Sequence, residues 1–177
     1  MAKEILKSTP NEYVFLDQFS NPSNPKSHFL TTGPEIVNQL NGRNIDVFVA
    51  GIGTGGTLMG VGRYLNSINS NAKIVGVQPE GCDFINGKFI PHKIEATSVG
   101  IIPSIVDLKI INHMIDVNFD EICDFKKWLI KKYGIFVGIS SVGNILAALK
   151  EACNYEKDKT IVTIAPDSGR SYLEHQW

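Results

Sequence analysis

The chain has 177 residues, 43% of them hydrophobic and 20% charged, with a formal charge of −1. That near-balance gives no field to gather nucleic acid or an acidic membrane surface, and no apolar run reaches the ~18 residues of a membrane span. Three widely spaced cysteines, Cys82, Cys123 and Cys153, form neither a disulfide framework nor a metal-binding Cys-x-x-Cys, so they are expected to be small buried hydrophobes in a reducing cytoplasm. The length suits one domain or one lobe of a larger unit.

In chain order, residues 1–6 read as the tail of a helix and 13–16 as a short strand. Residues 20–27, crowded with Asn, Pro and Ser, read as a loop. A helix is expected over 32–40, with Thr32 as N-cap and Pro34 in its first turn, where a missing N–H costs nothing. Asp46-Val-Phe-Val-Ala50 is the continuous apolar run of a strand buried in a parallel sheet. It breaks into Gly51-Ile-Gly-Thr-Gly-Gly-Thr57, followed by a helix over 58–67 and a second buried strand over 73–78. Such a strand–glycine turn–helix–strand run is the sequence form of a βαβ unit.

Residues 80–102 lack periodicity and read as loop. A strand is expected over 110–117, then an amphipathic helix over 120–133, with acids in its first turn, Lys131 and Lys132 in its last, and Gly134 as C-cap. Its stripe of Ile122, Phe125, Trp128 and Leu129 is expected to face the core. A helix over 141–152, a strand over 160–165 and a short terminal helix opened by Pro166-Asp-Ser168 complete the chain. The fold class is α/β, a mostly parallel sheet with flanking helices.

The stretch from Gly51 to Thr57 carries the most chemistry. A parallel strand there delivers the chain to a helix start, whose unpaired N–H groups and positive dipole end attract an anion. Glycines let the backbone close round a phosphate, and Thr54 and Thr57 add hydroxyl donors. Gly51, Gly53 and Gly56 also fit Gly-x-Gly-x-x-Gly, with Glu80 where a ribose-binding acid would stand, so a dinucleotide-binding Rossmann half is a remote alternative. A bare strand-to-helix turn is the plainest one. His28, His92, His113 and His175 show no metal-ligand spacing and read as surface or loop histidines, and Asp167 reads as a helix cap.

The fuller wording around that turn resembles one family. Asp46-Val-Phe-Val-Ala-Gly-Ile-Gly-Thr-Gly-Gly-Thr57 with Gly60-Val-Gly-Arg-Tyr-Leu65 is similar to the cysteine synthase (O-acetylserine sulfhydrylase) and cystathionine β-synthase family. So are Gln18-Phe-Ser-Asn-Pro-Ser-Asn-Pro25, Thr31-Thr-Gly-Pro-Glu-Ile36, Pro91-His-Lys-Ile94, Gly138-Ile-Ser-Ser141 and Pro166-Asp-Ser168, all in family order over nearly the whole chain. The resemblance implies pyridoxal 5′-phosphate as cofactor and the larger, C-terminal part of a fold type II, tryptophan synthase β-like catalytic unit. It implies a phosphate cup at Gly53, Thr54, Gly55, Gly56 and Thr57, a partner for the pyridine nitrogen at Ser168, and a substrate-carboxylate contact near Gln18. Ser168 also reads as a plain helix N-cap, and Gln18 as a loop-bracing amide.

The implied reaction is β-replacement, O-acetylserine plus sulfide giving cysteine and acetate. The alternatives are cystathionine β-synthase or another β-replacement, and a catalytically inert split or degenerate lobe or partner-binding module. Implied partners are a second copy as homodimer and the C-terminal tail of serine acetyltransferase, in the cytoplasm. The family's Schiff-base lysine segment has no counterpart here, and that N-terminal lysine-bearing lobe is expected to be absent from residues 1–177. The isolated chain is therefore expected to be inactive, and to expose an apolar face that leaves it poorly soluble or associating. Two family glycine sites differ: Ile94-Glu-Ala-Thr-Ser98 and Ser140-Ser-Val142 put Ala96, Ser98 and Val142 where glycines are usual, unless the second glycine has shifted to Gly143. These side chains are expected to narrow the pocket, alter substrate choice or mark decay.

Overall fold

The computed structural model describes residues 2–173, the first two of them by backbone alone. Four strands, β1 (Val47–Gly51), β2 (Lys73–Pro79), β3 (His113–Val117) and β4 (Ile161–Thr163), form one all-parallel sheet in the order β3-β2-β1-β4. The strands are apolar on both faces because both are covered. Phe48, Ala50 and Ile74 pack on one face with Leu58, Met59, Val61 and Leu65. Val47, Val49, Val75 and Val77 pack on the other with Ile122, Leu129, Ile139, Val142 and Ala147. Each large side chain so buried stabilises the fold by about 1.5–3 kcal/mol before entropy is counted.

The helices are α1 (Ala2–Ser8), α2 (Ser23–Leu30), α3 (Thr32–Gln39), α4 (Gly56–Ser67), α5 (Phe119–Tyr133) and α6 (Ile139–Ala152), with 3₁₀ turns at Leu108–Ile110 and Gly169–Tyr172. Helix α4 covers the first face, and α5 and α6 cover the second. Helices α2 and α3 ride on α4 through glycines: a Cβ at Gly60 would lie 2.4 Å from the Pro25 carbonyl oxygen, and one at Gly33 within 2.7 Å of Tyr64.

Several expectations need correction. Residues 13–16 form no strand: no edge of the sheet reaches them among the described residues, and Val14 is 86% exposed. The loop expected over 20–27 is half helix, since Pro22 stands at the N-cap of α2 and Pro25 in its first turn, where neither needs an N–H. Thr31, not Thr32, is the N-cap of α3, and its hydroxyl donates back to the Ser27 carbonyl (2.9 Å) instead of capping. β3 begins only at His113, because Leu108–Ile110 coils into the 3₁₀ turn. Ile122 and Leu129 face inward as expected, but Trp128 is 42% exposed, stacked on Phe125 (5.3 Å between centroids) and edge-on to Tyr133. Cys82 is buried, whereas Cys123 is half-buried and Cys153 exposed. Asn118 caps α5 by accepting from Asp120 N (2.8 Å), and Gly134 closes it at φ +68°, the left-handed turn the sequence promised.

Candidate active site

The site is built where β1 ends. Strand β1 hands the chain to α4 through the glycine turn, at the carboxyl edge where α/β sheets place their sites. Gly55 is the N-cap of α4 at φ +85°, a conformation L side chains rarely adopt. A Cβ on Gly53 would sit 2.2 Å from the Ala96 carbonyl oxygen, and one on Gly56 1.9 Å from Asn24 Oδ1. The turn is closed so tightly from behind that only glycine fits. Among the described residues, the N–H groups of Gly53, Thr54, Gly55 and Thr57 make no hydrogen bond within the protein. With the dipole of a 12-residue helix behind them, these donors make a nest for an anion.

Both threonine hydroxyls are held from α2. Asn24 Nδ2 donates to Thr54 Oγ1 (2.9 Å) and to the Gln18 carbonyl (2.8 Å), tying the exposed Gln18 turn to the nest through its backbone. His28 Nε2 lies 3.2 Å from Thr57 Oγ1, and its Nδ1 lies 2.9 Å from Thr32 Oγ1. Burial pushes the His28 imidazole below its ordinary pKa, leaving it neutral near pH 7. His28 is thus no surface or loop histidine. The signal that would have found it and Asn24 is their i, i+4 spacing, visible only once 23–30 is recognised as a helix.

A segment from Pro91 to Gly100 lies over the nest. Ser98 N donates to the Ile52 carbonyl (2.7 Å), which presses Ala96 onto Gly53. Ala96 (φ 58°) and Ser98 (φ 40°) are both left-handed, the region where glycine is at ease and a Cβ is not. Ser98 is buried, and its Oγ and the Nδ1 of neighbouring His92 find no hydrogen-bond partner. Val142 does not narrow the pocket: it lies inside α6, fully buried against the β-sheet, because the helix begins at Ile139 and turns it to the core. Gly143 is likewise inside α6, against Ile122.

Ser168 stands past the end of β4, the parallel neighbour of β1, so topology brings it to the same edge as the nest. It is exposed, and its Oγ accepts from Arg170 N (3.3 Å) as N-cap of the last 3₁₀ turn. Asp167 beside it turns away to the start of α6, where it accepts from Ser141 N (2.8 Å), Ser140 N (3.2 Å) and the Ser141 hydroxyl, and from Tyr172 (2.7 Å). Burial works to raise its pKa, but these bonds, Ser141's first, carry it below the usual aspartate range. Glu80 accepts from Asn118 Nδ2 (2.6 Å), which spends it on the cap of α5 and weakens the ribose-binding alternative. His113 pairs with buried Glu151 (2.9 Å), while His175 lies outside the described residues. Among the described residues no three metal-ligating side chains gather, and no helix is long and apolar enough to cross a membrane.

The sequence pattern of the pyridoxal-phosphate dependent enzyme family matches residues 1–167. A cysteine synthase of Staphylococcus aureus (strain Mu50 / ATCC 700699) is 40% identical over 173 residues, covering 97% of this chain and 55% of the relative. Cysteine synthase A of Escherichia coli (strain K12) is 41% identical over 182 residues, covering 97% and 56%. In three dimensions the chain resembles cysteine synthase from Entamoeba histolytica (TM-score 0.90, 32% identity, 98% of this chain and 52% of that one). It also resembles the O-acetylserine dependent cystathionine β-synthase of Helicobacter pylori (TM-score 0.88, 38% identity, 99% and 56%). The chain spans about half the length of the curated relatives it matches.

Proposed function

This chain belongs to the family of pyridoxal-phosphate dependent enzymes, and we propose that it supplies the phosphate-holding and pyridine-facing parts of a cysteine synthase active site. The observation that carries the reading is the nest at Gly53–Thr57, which fits the cofactor's phosphate: its floor admits no Cβ, and the N–H groups of Gly53, Thr54, Gly55 and Thr57 are free among the described residues. In the intact protein the proposed reaction is cysteine and acetate from O-acetylserine and sulfide.

When bound, the cofactor supplies an electron sink for elimination and replacement at the substrate's β-carbon. The nest's N–H groups, the Thr54 and Thr57 hydroxyls and the α4 dipole would hold the phosphate dianion. Ser168 would face the pyridine nitrogen. Because its Oγ already accepts from Arg170 N, the hydroxyl keeps its hydrogen to donate, and it does not force the ring nitrogen to stay protonated as a carboxylate would. Gln18, anchored by its carbonyl, leaves its exposed amide for the substrate carboxylate. No residue of the 177 is assigned the bond to the cofactor's aldehyde, so the chain alone is proposed to be inactive.

A homodimer in the cytoplasm is part of the same proposal, and the serine acetyltransferase tail is the further partner it admits. Cystathionine formation is the second reading, favoured by the likeness to the Helicobacter pylori enzyme. The test is titration of the 177-residue chain with pyridoxal phosphate, before and after borohydride, followed by mass spectrometry and a cysteine assay with O-acetylserine and sulfide. Saturable binding with no tagged lysine and no cysteine is expected. A tagged lysine with cysteine formation would show that the chain completes the site itself, and no binding at all would sink the reading.

A further inference from the structure

We propose that α2 sets the hydrogen-bond polarity of the nest: Asn24 and His28 each donate a hydrogen to one threonine of the turn, leaving both hydroxyls to donate to the bound phosphate. The inference rests on the phosphate reading above and assigns His28 as a positioning residue.

A threonine hydroxyl has one hydrogen and two lone pairs, so its neighbours decide whether it meets an anion as donor or as repulsive acceptor. Thr54 Oγ1 receives Asn24 Nδ2 at 2.9 Å and, more weakly, Gly56 N at 3.4 Å. Both lone pairs are taken and its hydrogen is free. Asn24's amide is fixed in this sense because its other N–H is given to the Gln18 carbonyl at 2.8 Å. Thr57 has one such neighbour, His28 Nε2 at 3.2 Å.

A neutral imidazole carries a single N–H, and two arrangements satisfy the distances. If Nδ1 holds the hydrogen, it donates to Thr32, and Thr57 must spend its own hydrogen on Nε2, turning lone pairs to the anion. If Nε2 holds it, Thr32 donates to Nδ1 at 2.9 Å, His28 donates to Thr57, and Thr57 donates onward. Only the second order points every hydrogen toward the phosphate. An anion in the nest selects it, since a hydrogen bond to a charged group is worth more than one between neutral groups. Burial lowers the His28 pKa, and in the neutral ring the position of the single N–H decides which way Thr57 points.

Imidazole ¹⁵N NMR of the 177-residue chain with bound pyridoxal phosphate reads the tautomer directly. Alongside it, the affinities for pyridoxal phosphate and for phosphate-free pyridoxal are compared in wild type, His28→Ala and His28→Gln. The expected results are an Nε2–H ring and a ratio of the two affinities lowered about tenfold in His28→Ala, the scale of one hydrogen bond to a charged group. His28→Gln, whose amide can still donate, should restore most of the ratio, with pyridoxal binding steady throughout. An Nδ1–H ring overturns the proposal. So does a ratio untouched by His28→Ala, or an equal loss of both ligands, which would mark a merely structural histidine. If wild type binds pyridoxal phosphate no tighter than pyridoxal, the phosphate reading itself fails and takes this inference with it.

Discussion

Helices α4 and α6 both start at the carboxyl edge of the sheet, α4 after β1 and α6 beside the bridge of Val137 to Ser168 past the end of β4. Both are N-capped by a glycine, Gly55 and Gly138, with no side-chain cap of their own. At α6 the protein fills the positive end itself, seating the Asp167 carboxylate on Ser140 N and Ser141 N so closely that a Cβ on Gly138 would meet it at 2.3 Å. At α4, among the described residues, no carboxylate accepts from the turn, and the N–H groups of Gly53, Thr54, Gly55 and Thr57 stay bare beside the Thr54 and Thr57 hydroxyls. One start is a finished internal ion site, and the other is shaped for an anion from outside. The difference separates helix starts built for stability from those built for binding.

The sharpest way to break the comparison is to fill the α4 nest. Gly53→Ala drives a methyl into the backbone carbonyl of Ala96, which cannot rotate away. About 1–3 kcal/mol of stability should be lost, read from a thermal melt, together with measurable pyridoxal phosphate binding. Gly143→Ala inside α6 is the control: its methyl would meet the flexible end of Ile122 (Cδ1 at 3.2 Å) and Val117 Cγ2 at an ordinary 3.7 Å, and helix propensity favours alanine by about 1 kcal/mol, so stability should hold or rise.

Emptying the α6 site comes next. Asp167→Asn removes the charge and turns an N–H toward donors already present, at a cost of about 1–3 kcal/mol. The pH dependence has a definite sign. Asp167's folded pKa is depressed, so its contribution is complete above the unfolded value near ~3.9 and is lost as pH falls through that value toward the lower folded one. Chemical denaturation from pH 7 downward should show wild type losing stability across that window, and the variant losing less.

A smaller effect tests an ordinary start of the third kind. Asn118 closes α5 with its own side chain, accepting from Asp120 N and Glu121 N. Asn118→Ala should cost about 1 kcal/mol in the same denaturation experiment, without changing the affinity for pyridoxal phosphate.

Much of this was readable in the chain. The apolar runs of β1 and β2 and the glycines between them are local signals, as are Gly134 and the charges at the ends of α5, and the structure keeps them to within two residues. What the sequence hid depends on contacts distant along the chain. Residues 13–16 have strand-forming side chains and no strand to pair with, so pattern alone misled. The prolines at 22 and 25 look like loop chemistry until they are seen to occupy a first turn, and with that helix lost from view, Asn24 and His28 lost their link to Thr54 and Thr57, some thirty residues on. Val142 looked like an intruder in the site because its neighbours' wording suggested a turn, whereas the helix register buries it.

The segment over the α4 nest supplies the finest distinction. Asp167 reaches α6 with its backbone relaxed, while Ala96 and Ser98 reach α4 through left-handed conformations that cost a non-glycine residue of order 1 kcal/mol or more. Ser98 also buries a hydroxyl without a partner. Ser98→Gly removes both penalties and adds only the larger chain entropy of a glycine in the unfolded state, about 0.5–1 kcal/mol. A net gain of about 0.5–1 kcal/mol is therefore expected, and a smaller one for exposed Ala96→Gly, which has no buried hydroxyl to remove. If instead Ser98→Gly lowers the melting temperature, the Ser98 side chain must be contributing packing that outweighs its strain. The cover over the nest would then be braced by that side chain rather than held in place by the Ser98 N–H bond to Ile52 alone.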